Sequence, residues 1–332
     1  MPKINLNDIQ AASNRIKPYI KPTPILESSL LNNWLGHQIL FKAECLQTTG
    51  AFKLRGALNM LLKAKEEGNL PQRVVASSSG NHAQAVAYAA KLLGVKATIF
   101  SPRNISAVKG AATRYYGAEL DLSDTRHEAD EKAQHAGQQE NTIWLPPFNH
   151  PDIISGQGTV MLDTFAQTQD LDGVFAPCGG GGLLSGSLVT TRALSPNTQV
   201  CGVEPLAAND AAESLRMGHI QRLSSQPQTL ADGAATLAVG DITFPYLKQL
   251  DDFYEASEGQ IAYWTQWLQH LLKIHVEPTC AMSMAGVVPW LAAQTEAKKV
   301  LVILSGGNID QQKMQQIWQQ DHLSQVPDLT LA

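Results

Sequence analysis

The chain has 332 residues, 44% hydrophobic and 17% charged, with a formal net charge of −5, enough for two domains or one large α/β unit with a real core. No basic run exceeds a pair, which argues against a nucleic-acid partner, and no apolar stretch reaches about 18 residues, so no transmembrane helix is expected. The polar start Met1-Pro2-Lys3-Ile4-Asn5-Leu6-Asn7-Asp8 is unlike a signal peptide; with Cys45, Cys178, Cys201 and Cys280 far apart and matching no metal spacing, a cytoplasmic protein with reduced thiols is expected.

In chain order, Ile9, Ala12, Ile16 and Tyr19 recur at helical spacing and predict a helix over 8–19. Pro18, Pro22 and Pro24 end it and force an extended segment through Thr23-Pro24-Ile25-Leu26. Ile39 to Ala43 reads as a short strand. It leads to Thr48-Thr49-Gly50-Ala51-Phe52-Lys53-Leu54-Arg55-Gly56-Ala57, which sets one lysine between an aromatic and an aliphatic residue, ahead of a helical pattern. A lysine in semi-apolar surroundings has a lowered pKa and can act as a nucleophile. Read alone, its plainer reading is a lysine at a helix start with its charge in water.

From Arg73 onward, strand, helix and glycine stop alternate. Strands are expected at 74–76, 97–100 and 119–122, and helices at 81–93, 105–116 and 124–139, with Gly94 and Gly117 as stops. This pattern argues βαβ units and a parallel sheet over 73–149. After Pro146-Pro147-Phe148-Asn149-His150-Pro151 the alternation resumes. Helices are expected at 158–167, 183–193, 259–272 and 281–293, and strands at 173–176, 199–203, 253–256 and 299–304. The Gln-rich tail after Asp310 carries no clear pattern. The domains expected are 1–72 plus 150–332 as a large unit and 73–149 as a small one.

Several loops carry chemistry. Gly179-Gly180-Gly181-Gly182 follows a strand and precedes a helix. Glycines let backbone N–H groups approach an anion, and the helix N-terminus adds positive potential. The run fits neither the dinucleotide fingerprint nor the P-loop, so it reads as a cradle for a single phosphate. Ser77-Ser78-Ser79-Gly80-Asn81-His82 offers hydroxyls, an amide and free N–H groups at a helix start, suited to a carboxylate or a ring oxygen; it is also a plausible N-cap cluster. Ser305 closes the last apolar strand, where ligands of parallel sheets sit. Glu204 and Asp210, with a backbone carbonyl between them, suit Mg²⁺ or Ca²⁺, or Asp210 simply caps a helix. Glu277-Pro278 and Asp232-Gly233 are further acidic turns.

Together these loops resemble the fold-type II pyridoxal-phosphate enzymes, in the serine/threonine dehydratase and serine racemase group. The resemblance runs from about Ile9 to Asn308, through Thr49 to Ala57, Ser78-Ser79-Gly80-Asn81-His82-Ala83-Gln84, Pro177 to Gly182, Val203-Glu204-Pro205, Ala231-Asp232-Gly233, Glu277-Pro278 and Ser305-Gly306-Gly307-Asn308. It implies an α/β fold of two open parallel-sheet domains of the tryptophan synthase β-like kind, pyridoxal 5'-phosphate as cofactor, and a homodimer acting on a small amino acid. Lys53 would carry the Schiff base, with Phe52 near the ring. Gly179, Gly180, Gly181, Gly182 and Leu183 would bind the phosphate, Asn81 the phenolic oxygen, and Ser305 would face the ring nitrogen. Ser78, Ser79, His82 and Thr236 would surround the substrate carboxylate. Glu204, the Ala208 carbonyl and Asp210 would match a site for Mg²⁺, Mn²⁺ or Ca²⁺.

The sequence departs from the family at two places. Ala51 replaces the usual serine of the lysine motif. Near Asp124, racemase-like members carry an arginine; here Asp130 takes the aligned position and Arg126 lies one turn before it, so that role is not carried over. The implied reaction is β-elimination from L-threonine or L-serine, giving a 2-oxo acid and ammonia. Lys53 would be the base at Cα, and Ser79 on the opposite face would permit racemisation. A neutral Ser305 would not hold the ring nitrogen strongly protonated, which suits elimination over a long-lived carbanion. The alternatives are a serine racemase with side dehydratase activity, a 3-hydroxyaspartate dehydratase, which needs a cation near the β-carboxylate that no motif supplies, and a non-catalytic cofactor-binding protein. A nucleotide-binding oxidoreductase lacks its fingerprint. With about 24 residues after Asn308, no C-terminal regulatory domain is expected.

Overall fold

The computed structural model describes residues 3–330; Met1 and Pro2, the start of the polar N-terminal segment, lie outside the described residues. Asn5 caps the first helix, Leu6–Ile16, in a reciprocal box with Asp8, satisfying N–H groups that the first turn leaves without partners. Ile9, Ala12 and Ile16 form its buried face. Pro18 lacks the N–H that would continue the helix, and the chain leaves through a 3₁₀ turn, Lys17–Tyr19.

The strands are β1 (Ile25–Glu27), β2 (Gln38–Lys42), β3 (Arg73–Ser77), β4 (Lys96–Pro102), β5 (Glu119–Ser123), β6 (Thr142–Trp144), β7 (Gly173–Pro177), β8 (Gln199–Pro205), β9 (Asp252–Ala256) and β10 (Lys299–Ile303). They form two sheets of order β1-β2-β10-β7-β8-β9 and β5-β4-β3-β6. Both are parallel, apart from β1, which runs antiparallel at an edge. This is the α/β architecture of two open parallel sheets anticipated from the alternation of apolar runs and glycine stops. β7 is buried at every position, as expected where helices cover both faces of a parallel sheet. No helix among the described residues is long and apolar enough to cross a membrane.

Several short elements were not foreseen, among them the helices Asp210–Met217 and Phe244–Leu247. The helix Ser29–Leu35, capped by Ser28, buries only Leu31 and Leu35, too short a stripe for a clear period. β6 has three residues. The tail forms a helix, Gln311–Ile317, capped by Asp310 and burying Ile317. The helix expected at 158–167 begins at Pro151, with proline in its first turn and His150 as cap, the arrangement proline prefers. Its glycines hid it: a Cβ on Gly156 would stand 2.6 Å from the Arg55 carbonyl oxygen and 2.7 Å from Gly56 Cα. Two helix backbones cross there at a distance only glycine allows. The helix expected at 281–293 is divided into Pro278–Ala281 and Met284–Ala292.

The other partner in that crossing is the lysine helix, Lys53–Glu66. Its Leu54, Leu58 and Leu61 share one apolar cluster with Val74, Ala83, Val86 and Ile99 around the smaller sheet. The preceding loop is tied to the larger sheet, because the Phe52 N–H donates to the Ser305 carbonyl oxygen at 3.0 Å. The helix therefore joins the two sheets directly behind Lys53.

Arg55, fully buried, fixes this junction. Its Nε and Nη2 donate to the two oxygens of buried Glu44 at 2.8 Å each, Nη2 also to Asp163 at 2.7 Å, and Nη1 to Thr159 at 3.1 Å. Removing one partner of a buried pair leaves an uncompensated charge. Glu44→Ala is therefore expected to destabilise the protein by about 3–5 kcal/mol, read as a fall in the urea or thermal unfolding midpoint.

Candidate active site

The C-terminal ends of β3, β6, β7 and β10 all open on one cleft, with a cavity volume of about 180 Å³. Parallel sheets place ligands at these ends because the following loops converge there and helix N-termini point inward. The structure brings together here Phe52, Lys53, Ser78, Ser79, Asn81, His82, Gly179, Gly180, Gly181, Gly182, Leu183, Thr236 and Ser305. Glu204, Ala208 and Asp210 do not line it; they lie buried behind it.

Lys53 is the first residue of its helix. Its Nζ donates to the Pro147 carbonyl oxygen at 2.7 Å and lies 5.1 Å from the Phe52 ring centroid. Burial lowers its pKa to about 8, against a smaller upward pull from Glu277. A neutral amine is thus accessible near pH 8, unlike that of an ordinary lysine.

Opposite lies the glycine run at the start of the helix Gly182–Leu194. Gly181 has φ +88°, a conformation that side chains other than glycine rarely tolerate. A Cβ on Gly180 would collide with the Phe148 ring, and one on Gly182 with Gln157 Oε1. The backbone therefore presents itself bare to the cleft, with the unpaired N–H groups of a helix start. This set of donors fits a phosphate.

Asn81 is held from both sides. Its Nδ2 donates to the Glu277 oxygens at 2.9 and 3.1 Å, and its Oδ1 accepts from Asn308 Nδ2 at 2.9 Å. Burial pushes the Glu277 carboxyl up to about 7, with Asp232 adding to it and Lys109 opposing. Buried His82 sets Nε2 at 2.8 Å from the Leu145 carbonyl oxygen, so Nε2 carries the hydrogen. Burial, then the charge of Lys53, lowers its pKa to about 3, so its ring is neutral. The Ser79 and Ser305 hydroxyls make no hydrogen bond among the described residues; Ser78 Oγ accepts from the Gly80 N–H at 3.2 Å.

Thr236 links the cleft to the acidic pair by donating to Asp210 Oδ1 at 3.3 Å. Glu204 accepts from the N–H groups of Ala211 and Ala212 at 3.2 and 2.6 Å, while Asp210 Oδ2 has no partner. Burial pushes Glu204 up to about 9 and Asp210 up to about 7. No group of three or more His, Cys, Asp or Glu among the described residues could hold a metal. A cation here would rely on the two carboxylates and a backbone carbonyl.

The sequence reading did not place Lys109, Asp232, Pro147, Phe148 or Glu277 in the cleft, and left Arg126 without a role; all line it. Glu277 and Asp232 had a signal, an acidic residue in a Pro or Gly turn. Lys109 had none, because its 2.6 Å pair with Asp232 spans 123 positions.

A family model described as "Pyridoxal-phosphate dependent enzyme" matches residues 16–306. The chain is 42% identical to the L-threo-3-hydroxyaspartate ammonia-lyase of Saccharomyces cerevisiae, covering 92% of this chain and 94% of that protein. It is 39% identical to the serine racemase of Schizosaccharomyces pombe, again over 92% and 94%. The solved serine racemase of Dictyostelium discoideum superposes with a TM-score of 0.85 at 38% identity, covering 93% of this chain and 100% of that one. A solved threonine deaminase superposes with a TM-score of 0.86 at 42% identity, covering 92% of this chain and 99% of that one.

In cofactor-free protein, amine-reactive labelling of Lys53 should rise with pH to half-maximum near 8. Glu277→Gln should move that midpoint lower, since Glu277 favours the charged amine. A midpoint above 10, as for an exposed lysine, would refute this, and peptide mass spectrometry supplies the measurement.

Proposed function

Because the chain belongs to the pyridoxal-phosphate dependent enzyme family, we propose that it removes water from a β-hydroxy amino acid, L-threonine or L-serine, releasing a 2-oxo acid and ammonia. The observation that carries this reading is the meeting, around one cavity, of an amine of lowered pKa, a bare backbone anion cradle, a fixed amide and a neutral hydroxyl. Pyridoxal phosphate bound there supplies a ring that withdraws the negative charge developing at the substrate Cα.

The N–H groups of Gly179, Gly180, Gly181, Gly182 and Leu183 would hold the phosphate. Asn81, fixed by Glu277 and Asn308, would serve the phenolic oxygen, with Phe52 near the ring. Ser305 would offer the ring nitrogen a hydroxyl, a group that cannot fix a proton there as a carboxylate would. Lys53 would hold the cofactor aldehyde. Its amine, of lowered pKa, would take the Cα proton, and the Pro147 carbonyl oxygen is positioned to receive one of its N–H groups. Ser78, Ser79, His82 and Thr236 surround the substrate carboxylate. Neutral His82 contributes shape and a polar edge but no charge.

Residues 73–149 form the proposed mobile unit that closes on residues 1–72 and 150–332, with Lys109–Asp232 bridging the cleft. A homodimer in the cytoplasm is the proposed working form, and four buried cysteines without disulfides accord with a reducing compartment.

One observation favours racemisation as a second activity. The half-buried Ser79 lines the same cleft as Lys53 with its hydroxyl unengaged, so it can return a proton to the other face of Cα.

Purified protein should convert L-Ser and L-Thr to 2-oxo acids. Lys53→Ala should lower turnover by roughly 10²–10⁴-fold and abolish the absorbance of protein-attached cofactor. Ser79→Ala should abolish formation of D-Ser while elimination persists. Absence of 2-oxo acid from every hydroxy amino acid offered, with cofactor bound, would leave a non-catalytic binding protein.

The acidic pair suits a divalent cation: both carboxylates are buried, neither has a Lys or Arg partner among the described residues, and Asp210 keeps a free oxygen. Glu204, the Ala208 carbonyl and Asp210 would hold Mg²⁺, Mn²⁺ or Ca²⁺. Mg²⁺ at a hundredfold excess over its dissociation constant should stabilise the fold by about 2.7 kcal/mol, seen as a higher Tm that Asp210→Asn abolishes.

A further inference from the structure

The carbonyl oxygens of Gly179, Gly180 and Gly181 each accept from a side chain. Cys178 Sγ lies 3.3 Å from the first, Thr243 Oγ1 2.7 Å from the second and Ser185 Oγ 2.8 Å from the third. All three donors are buried, and none of them lines the cleft. Cys178 and Ser185 are close neighbours in sequence, and a serine bonding four residues back is ordinary within a helix. Thr243 reaches the run from 63 positions away.

Thr243 stands just before the helix Phe244–Leu247, where a threonine ordinarily turns its oxygen to the helix's own N–H groups. It makes no such bond. Its hydroxyl has one hydrogen to donate, and the Gly180 carbonyl at 2.7 Å is nearer than that of Gly240 at 3.1 Å. The segment that carries it is fastened beside the cleft. Asn149 Oδ1 accepts from the Ile242 N–H at 3.0 Å, and its Nδ2 donates to Asp241 Oδ1 at 2.6 Å. A Cβ on Gly181 would stand 2.9 Å from Thr243 Oγ1, so the threonine is packed against the peptide it anchors. A trans peptide is planar, with its C=O and N–H on opposite sides. Holding the Gly180 oxygen on the buried side therefore turns the Gly181 N–H toward the cleft.

We infer that Thr243 is a positioning residue for the anion cradle: its hydroxyl fixes the Gly180–Gly181 peptide so that the Gly181 N–H is presented to a phosphate before the phosphate arrives. This rests on the reading of the glycine run as a phosphate site and adds what orients it. A peptide between two glycines has little conformational restraint of its own. Without the anchor it is free to rotate, and rotation replaces a donor by a carbonyl oxygen, which repels an anion. Fixing the donor in advance removes that ordering cost from binding. A ligand without a phosphate makes no use of it.

The test uses the full-length chain freed of cofactor and follows binding by calorimetric titration and by Tm. Inorganic phosphate should raise Tm in the parent protein, and pyridoxal 5'-phosphate should bind more tightly than pyridoxal. Thr243→Val keeps the shape and removes the donor. It should weaken pyridoxal 5'-phosphate by roughly 10- to 100-fold, lose the Tm gain with phosphate, and bind pyridoxal as the parent does. Thr243→Ser restores the hydroxyl and should recover phosphate binding, whereas Thr243→Cys, with only a weak donor, should fall below it. Phosphate binding undiminished in Thr243→Val, or an equal loss for pyridoxal and its phosphate, overturns the inference. If Thr243→Val does not fold, the serine and cysteine variants decide, and equal phosphate binding by those two overturns it. A parent protein that gains nothing from phosphate overturns the cradle reading itself, and this inference with it.

Discussion

Two residues beyond Lys53, the Arg55 guanidinium is enclosed with Glu44, Asp163 and Thr159, while Glu44 also accepts from Thr23 and the neighbouring Lys42 ammonium donates to the Thr23 carbonyl oxygen. Charges this deep persist only when every one is paired and hydrogen-bonded. The cluster ties together the N-terminal extended segment, β2, the lysine helix and the helix Pro151–Phe165. A reactive lysine needs a fixed backbone beneath it. Here that backbone is held by a charge network whose rupture would leave a bare guanidinium in the core, so Lys53 inherits the rigidity of Arg55.

The chemistry of the cleft follows from where charge is permitted. Burial leaves more of the Lys53 amine neutral and able to accept a proton, keeps His82 neutral, and holds Glu277 close to protonation near neutrality. Ser305 offers a hydroxyl where a carboxylate would impose a charge. The permanent positive potential comes from backbone N–H groups at the glycine run and from Arg126 at the cleft wall. Anions entering the cleft would thereby be received at its periphery, leaving between them groups that can change protonation state.

The lysine helix crosses Pro151–Phe165 through Gly56 and Gly156, and that helix meets Gly182–Leu194 where Gly158 faces Gly186. These contacts are as close as helix backbones come. They bring the lysine and the glycine cradle, far apart in sequence, to opposite walls of a single cleft.

The sequence by itself determined the periodic parts of the protein. Alternating apolar runs and glycine stops give the parallel sheets, since a buried parallel strand must be apolar on both faces. Glycines 179–182, Asn81 and Ser305 were legible because each stands at a strand end, where backbone geometry alone dictates its direction. Only the tertiary structure decided the rest. Pro151–Phe165 was masked at its start because its glycines answer to a neighbouring backbone and not to helix propensity. Lys109 and Asp232 pair across 123 positions, and Asn81 and Glu277 across 196. Asp130, the partner of Arg126 one turn along the same helix, is itself anchored by Ser77 on another element. Local sequence encodes dihedral preference and burial, which act over a few residues; charge pairing acts through space, and only the folded chain sets those distances.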